Sequence, residues 1–167
     1  LSLGSNSPEF PFLPQHYREL LEGEPDGVQL YRHVLHPRVP RLAFAGYNHG
    51  FLHVPAAEIG ALWLGAVMRD DITLPSSEEM ERSLSAVRGW KRDHVQFEPS
   101  RSCAVSTRFQ QYIDAMLLEL KISRWRKMPN IFAECFSRYG ASDYADVVDE
   151  YLAREPQAPH AVLQQDV

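Results

Sequence analysis

Cysteine is scarce in this chain: two in 167 residues, Cys103 and Cys135, in different segments. They form no CxxC pair, so neither a redox dithiol nor a zinc knuckle is supported. Two buried or semi-buried free thiols in a reducing, cytoplasmic compartment are expected instead. A basic excess is also missing. Lys and Arg total 17 against 22 Asp and Glu, a formal charge of −5, which argues against a nucleic-acid protein. No apolar run approaches the roughly 18 residues of a membrane span. The longest, Ile59 to Met68, holds two glycines and ends in Arg69-Asp70-Asp71. No basic-then-apolar-then-small pattern opens the chain, so no secretory signal is expected. With 44% hydrophobic and 23% charged residues, disorder and collagen-like structure are excluded, and the length suits one ordinary domain.

Familiar chemical signatures are absent too. There is no GxGxxG, GxxxxGK[ST], HExxH or GxSxG. His33 and His36 lie three apart in a predicted strand and should point to opposite faces. His49 and His53 lie four apart with no third ligand nearby in sequence. Neither pair reads as a metal site. The stretch Lys121 to Lys127 is basic with Trp125 inside it; cations at a helix C-terminus explain it without a nucleic-acid partner.

What is present is a chain with strands early and helices late. Pro8, Pro11, Pro14 and Pro25 punctuate a loop-rich start, with a short helix expected over His16 to Leu21. Val28 to Leu35 and Arg41 to Tyr47 read as strands, with Pro37 and Pro40 between them and Gly46 allowing a turn. Two short strands cannot make a stable sheet alone, so further strands are expected from the start of the chain or from another chain. A loop, Asn48 to Val54, leads to a helix with Pro55 in its first turn. Its stripe is Ile59, Leu62, Trp63, Ala66 and Val67. If the sheet is completed elsewhere, the face of Leu42, Phe44 and this stripe is left partly uncovered. A capping box, Ser76 to Glu79, predicts a surface helix to about His94 with Met80, Leu84 and Val87 inward. Further helices are predicted near Thr107 and Pro129, the second with Ile131, Phe132, Cys135, Phe136 and Tyr139 inward and Gly140 as its stop. A last helix, capped by Ser142, carries Tyr144, Val147, Val148, Tyr151 and Leu152. A frayed tail is expected from Pro156.

The stretch Leu30 to Met80 carries a more specific signal. Its Leu30, Tyr31, Pro37, Pro40, Leu42, Phe44 and Gly46, then Glu58, Trp63, Leu74, Pro75, Ser76 and Met80, resemble in order and spacing the flavin-containing monooxygenase family and its bacterial and fungal flavin-dependent relatives. Leu3-Gly4 with Phe10 to Pro14 resembles the family's "ATG…PFLP" segment, although the alanine-threonine pair is missing. Tyr112, Asp114 and Leu118, and the segment Phe136 to Tyr151, resemble later family elements. The likeness covers roughly residues 1 to 152.

The resemblance implies an α/β fold. Residues 1–75 would close a Rossmann-like FAD-binding domain, 76–153 would form a helical extension, and 154–167 a tail. It implies FAD as cofactor, NADP as the nicotinamide partner, and oxygenation of a small-molecule substrate at nitrogen, at sulfur or beside a ketone. The family's two glycine-rich dinucleotide fingerprints are not in this sequence. The chain therefore reads as a C-terminal part whose N-terminal dinucleotide-binding half lies elsewhere: a fragment, a cleaved product, or a subunit that pairs with another chain or with its own copies. A non-catalytic helical interaction module and a helper subunit completing a partner's flavin site stay open as rival readings.

Physics gives the central loop a role of its own. A strand ending at Gly46, followed by a helix N-terminus, presents free N–H groups and a positive dipole end, suited to the electron-rich side of a reduced flavin. The resemblance puts this loop beside the flavin ring, which makes Asn48, His49, Gly50, Phe51 and Leu52 the candidate cofactor and substrate contacts. Trp63 reads as a core residue and Glu58 as structural. No residue reads as a general base or nucleophile, as expected where a cofactor carries the hard chemistry.

Overall fold

The computed structural model describes residues 8–105 and 108–154. The segments at residues 1–7 and from 155 onward, expected to be family-like and frayed respectively, lie outside the described residues, as does Thr107. Among the described residues six α-helices follow in chain order: α1 Gln15–Glu22, α2 His53–Met68, α3 Ser77–His94, α4 Phe109–Glu119, α5 Ile131–Phe136 and α6 Val147–Leu152. Short 3-10 turns at Arg101–Cys103 and Ala141–Tyr144 stand between them.

The described residues are helical and hold no sheet, so the α/β expectation is not met within them. Where two strands were predicted, only isolated bridges form, Tyr31 with Leu35 and Leu35 with Ala43. The reason is local. Arg32 and His33 both take left-handed backbone, at φ 53° and 55°. The Tyr31 N–H donates to the Leu35 carbonyl at 2.7 Å, and the Leu35 N–H returns to Tyr31 at 3.0 Å. The run folds back on itself within five residues. Its β-branched and aromatic residues are spent on packing, and a β-ladder without neighbouring strands has nothing to propagate along. His33 and His36 accordingly lie on a tight turn and the segment after it, not on two faces of a strand.

The predicted helices at α1, α2 and α3 form. In α3 the Ser76 hydroxyl accepts from the Glu79 N–H and the Glu79 carboxylate accepts from the Ser76 N–H, a full capping box. α2 is apolar almost all round. It buries Ala56, Ile59, Trp63 and Ala66 to 2% exposure or less, against α4, α6 and the Ala141–Tyr144 turn. This central cluster also takes in Tyr31, Val34, Met80, Ile113, Met116, Leu117, Val147 and Tyr151. A smaller cluster gathers Phe10, Leu21, Val28, Leu30 and Val39, with Leu42, Phe44 and Tyr47 against it. Of the face expected to be partly uncovered, Ile59, Trp63 and Ala66 are buried within the chain, while Leu42, Phe44 and Leu62 stay half-buried.

The exposed apolar side chains lie elsewhere. α5 was expected to bury Ile131, Phe132, Cys135 and Phe136; these residues are exposed, Phe132 at 74% and Phe136 at 77%. Glu134 anchors the helix, accepting from the Lys127 N–H at 2.8 Å and from the Tyr139 hydroxyl. With the anchored side polar, the apolar arc is left facing outward. The helix stops at Ser137, whose backbone is extended, well before Gly140. Ser142 sits inside a 3-10 turn, and α6 begins only after Asp146. Of the two free thiols, Cys103 is half-buried as expected, whereas Cys135 is exposed.

Candidate functional site

The loop between residues 46 and 53 is built around Gly46, whose φ of +73° is left-handed backbone that an L side chain rarely adopts. After that turn the chain is braced from a distant segment. The His49 N–H donates to the Cys103 carbonyl at 2.8 Å, and the Val105 N–H donates to the His49 carbonyl at 3.0 Å. His49 Nε2 also lies 3.3 Å from a Glu98 carboxylate oxygen. α2 then starts at His53 with Leu52 at its N-cap. No side chain caps it and no acidic residue sits in its first turn. The helix end keeps free N–H groups and an uncompensated positive dipole end.

The five predicted site residues are consecutive and stay together. Asn48 is half-buried, and its Oδ1 is out of solvent with no hydrogen-bond partner. His49 is tied to Glu98. Gly50 is half-buried, Phe51 is 92% exposed, and Leu52 is half-buried at the helix start. The exposed Phe51 and Val54 give the uncapped helix end an apolar rim. A flat, partly anionic ring system meets its requirements on such a surface: an apolar face to lie on and N–H donors at one edge. Trp63 is a core residue, fully buried, and Glu58 is exposed.

Behind the loop lies an ionic cluster that the sequence reading missed. Asp26 is 1% exposed. Arg101 reaches it at 2.7 and 3.1 Å, Arg92 at 2.9 and 3.1 Å, and the Gln29 amide at 3.2 Å. Burial pushes its carboxyl up, but the hydrogen bonds and charges of Arg92 and Arg101 outweigh burial and hold it at about 2. Glu24 takes Arg88 and Arg92, both at 2.6 Å. The Ser102 N–H donates to the Asp26 carbonyl, so the cluster fixes the very strand-like segment, Cys103 to Val105, that braces His49. Gly27 completes the junction. Its φ is +99°, and a Cβ there would stand 2.5 Å from the Ser102 hydroxyl. The visible trace in sequence was the pair Arg88 and Arg92, one turn apart on the polar side of α3.

A second trace was also legible. Met80, Leu84, Val87 and Lys91 follow one stripe of α3, and the fourth is a cation. It is buried along with the first two. Among the described residues no group of His, Cys, Asp and Glu could hold a metal ion, and no helix is long and apolar enough to cross a membrane. The basic run near Trp125 is not an open patch: Arg126 pairs with Glu150 at 2.6 Å, and Lys127 donates to Ser137.

Comparison with known proteins adds what geometry cannot. The chain is 31% identical over 132 residues to a probable flavin-containing monooxygenase of Arabidopsis thaliana, which covers 79% of this chain and 24% of that protein. It is 31% identical over 146 residues to an FAD-dependent monooxygenase of Fusarium langsethiae, covering 83% and 25%. A counterpart in Alternaria brassicicola is 32% identical over 128 residues, covering 72% and 22%. No family model matches the chain. The chain thus spans about a quarter of the length of the curated relatives it matches. Across most of its own length, this chain belongs to the flavin-containing monooxygenase family.

Proposed function

We propose that the chain is one part of an FAD- and NADPH-dependent monooxygenase that uses dioxygen to oxygenate a small organic substrate. The observation that carries this is identity above 30% over about four-fifths of the chain with two separately named flavin monooxygenases. In this reading the chain is the C-terminal part, and residues 1–75 complete a Rossmann-like FAD domain only when the remaining three-quarters of the protein supplies its sheet. The dinucleotide fingerprints, absent from this sequence, belong to that remainder. Residues 76–153 form the helical extension.

The loop geometry supports a flavin-facing role for Asn48 to Leu52. The uncapped α2 N-terminus offers donors to a polar ring edge, Asn48 Oδ1 is an acceptor still in need of a donor, and Phe51 and Val54 offer apolar cover. The flavin, when bound, supplies the redox chemistry between nicotinamide and dioxygen. This chain's residues orient the ring edge, keep the backbone rigid through the His49 brace, and exclude water.

The test is reconstitution. The chain is purified alone and again with the dinucleotide-binding half of a relative, and flavin colour and NADPH-driven oxygenation are measured. Colour and turnover only with both parts are expected. Failure of the pair to retain flavin would overturn the reading in favour of a helical interaction module, and colour in the chain alone would overturn its status as a part.

A further inference from the structure

A cavity of about 120 Å³ opens between the Gln29–His33 segment, α3 and α4. Leu84, Val87 and Val105 form apolar wall, while Lys91, Arg108 and Tyr112 bring polar groups to the lining. Among the described residues no Asp or Glu lines it. The volume is close to the benzene-sized cavities that proteins hold open, of order 150 Å³.

Lys91 is the unusual member. Its side chain is buried, at 5% exposure. Among the described residues no carboxylate lies within ion-pair distance of its ammonium. Its contacts are the Ser102 carbonyl and, at 3.5 Å, His33 Nε2. Burial drives its pKa down to about 8, which still leaves it mostly charged at neutral pH. The Cys103 thiol and the His33 imidazole beside it do not supply the missing negative charge, and Asp26, whose charge reaches Lys91, is already held by Arg92 and Arg101. Burial pushes the Cys103 thiol up, so it stays protonated, and burial holds His33 well below its ordinary range, so it stays neutral. A buried cation without a counter-ion is costly, and proteins normally pair it. Arg32 is no competitor for a ligand, because Glu119 already holds it. Arg108 is different: its guanidinium lies 4.9 Å from the centre of the Trp90 ring and makes no ion pair among the described residues. Finally, the Tyr112 hydroxyl is out of solvent with no hydrogen-bond partner.

We propose that this cavity binds a small organic carboxylate. Its negative group pairs with Lys91, and its apolar body packs on Leu84, Val87 and Val105. The walls argue for an organic anion over an inorganic one, because phosphate or chloride would leave the apolar side of the cavity unfilled. The inference is tested separately from the flavin reading: the cavity shares the Ser102–Val105 segment with the His49 brace, but binding is read without any cofactor.

The experiment is calorimetry and thermal shift on the full chain with benzoate, its neutral isostere benzamide, and inorganic phosphate. Saturable benzoate binding is expected, with benzamide and phosphate at least tenfold weaker. Lys91→Met should cost benzoate affinity tenfold or more. Tyr112→Phe removes a hydroxyl that bonds to nothing here, so the fold should survive it. The melting temperature without ligand should hold or rise, and benzoate affinity should fall several-fold. Three results would each overturn the proposal: no saturable benzoate binding, equal binding of benzamide, or affinity unchanged in both variants. Should Lys91→Met fail to fold, the benzoate-to-benzamide ratio and the Tyr112→Phe variant still decide.

Discussion

The indole N–H of Trp63 donates to Glu119 Oε2 at 2.6 Å, across 56 residues of sequence. Trp63 is fully buried on α2, and Glu119 ends α4. The same carboxylate takes the Arg32 guanidinium through its other oxygen, with the Tyr31 hydroxyl at 3.5 Å. One side chain thus locks the tight turn at Tyr31–Leu35 onto the two central helices. A buried indole N–H needs an acceptor, and a carboxylate brought there needs a cation. Each group answers a requirement the other creates.

Glu119→Gln should therefore cost about 2 kcal/mol, because it weakens the hold on Arg32 as well as the bond to Trp63. Trp63→Phe should cost roughly 2–4 kcal/mol through lost volume and an orphaned carboxylate oxygen. In a double-mutant cycle by denaturant unfolding the two losses should fall short of additive by about 1 kcal/mol. Strict additivity would show that the contact does not couple α2 to α4.

Acid should weaken the chain in two stages. His33 and His36 are both pushed below their ordinary 6.5 by burial. The unfolded chain then takes up protons first, and stability begins to fall as pH drops below that value. The Asp26 carboxyl is held down, from 3.8 to about 2. Its contribution is complete above 3.8 and is lost as pH falls from there to about 2. Asp26→Asn should shrink the second stage, leaving the part due to Asp71, Glu79 and Glu150, which are also held down by their hydrogen-bond partners. It should cost about 3 kcal/mol at neutral pH, since Arg101 is left buried without its partner. Unfolding free energy against pH, for both proteins, is the measurement.

The loop prediction separates turn geometry from cofactor contact in the complete enzyme. Left-handed backbone in this loop falls at Gly46, so Gly50 is the cleaner position to probe. Gly50→Asn should leave the melting temperature nearly unchanged yet lower coupled product formation and raise hydrogen peroxide release. Gly50→Val should do the same more strongly. If Gly50→Asn keeps full coupling and full flavin content, Asn48 to Leu52 are not at the flavin.

Helix α5 carries a cluster of exposed apolar side chains. Ile131, Phe132 and Phe136 stand at 65%, 74% and 77% exposure, and the Phe132 and Phe136 rings lie 4.9 Å apart. Patches of this kind attract apolar dyes. The chain should enhance a hydrophobic dye's fluorescence, and Phe132→Glu with Phe136→Glu should abolish most of that signal without lowering the melting temperature. Undiminished dye binding would place the sticky surface elsewhere.

Much of the helical frame was legible because it rests on local rules. Pro55 at a first turn, the Ser76-to-Glu79 box and the α2 stripe are short-range patterns, and each became the element it indicated. The family likeness was legible for another reason: order and spacing survive where single residues do not. The candidate loop was readable only as a run of residues. Its brace to Cys103 and Val105 joins positions more than fifty residues apart, and no period in the sequence encodes such a pairing.

The amino-acid order by itself determined where α2 and α3 begin, which stripe turns inward on α2, and which family the chain follows. On α3 it found Met80 and Leu84, while Val87, expected inward, is exposed. Tertiary structure alone decided the rest. Whether Val28–Leu35 becomes a strand depends on a neighbour to pair with, and without one the turn at Arg32 and His33 closes on itself. Whether the apolar arc of α5 is core or surface depends on which side Glu134 anchors. Whether Lys91 is a solvated cation or a buried one depends on what α4 and the Ser102 segment place over it. Burial and charge pairing are properties of three-dimensional neighbours, and a one-dimensional pattern records only the opportunity for them.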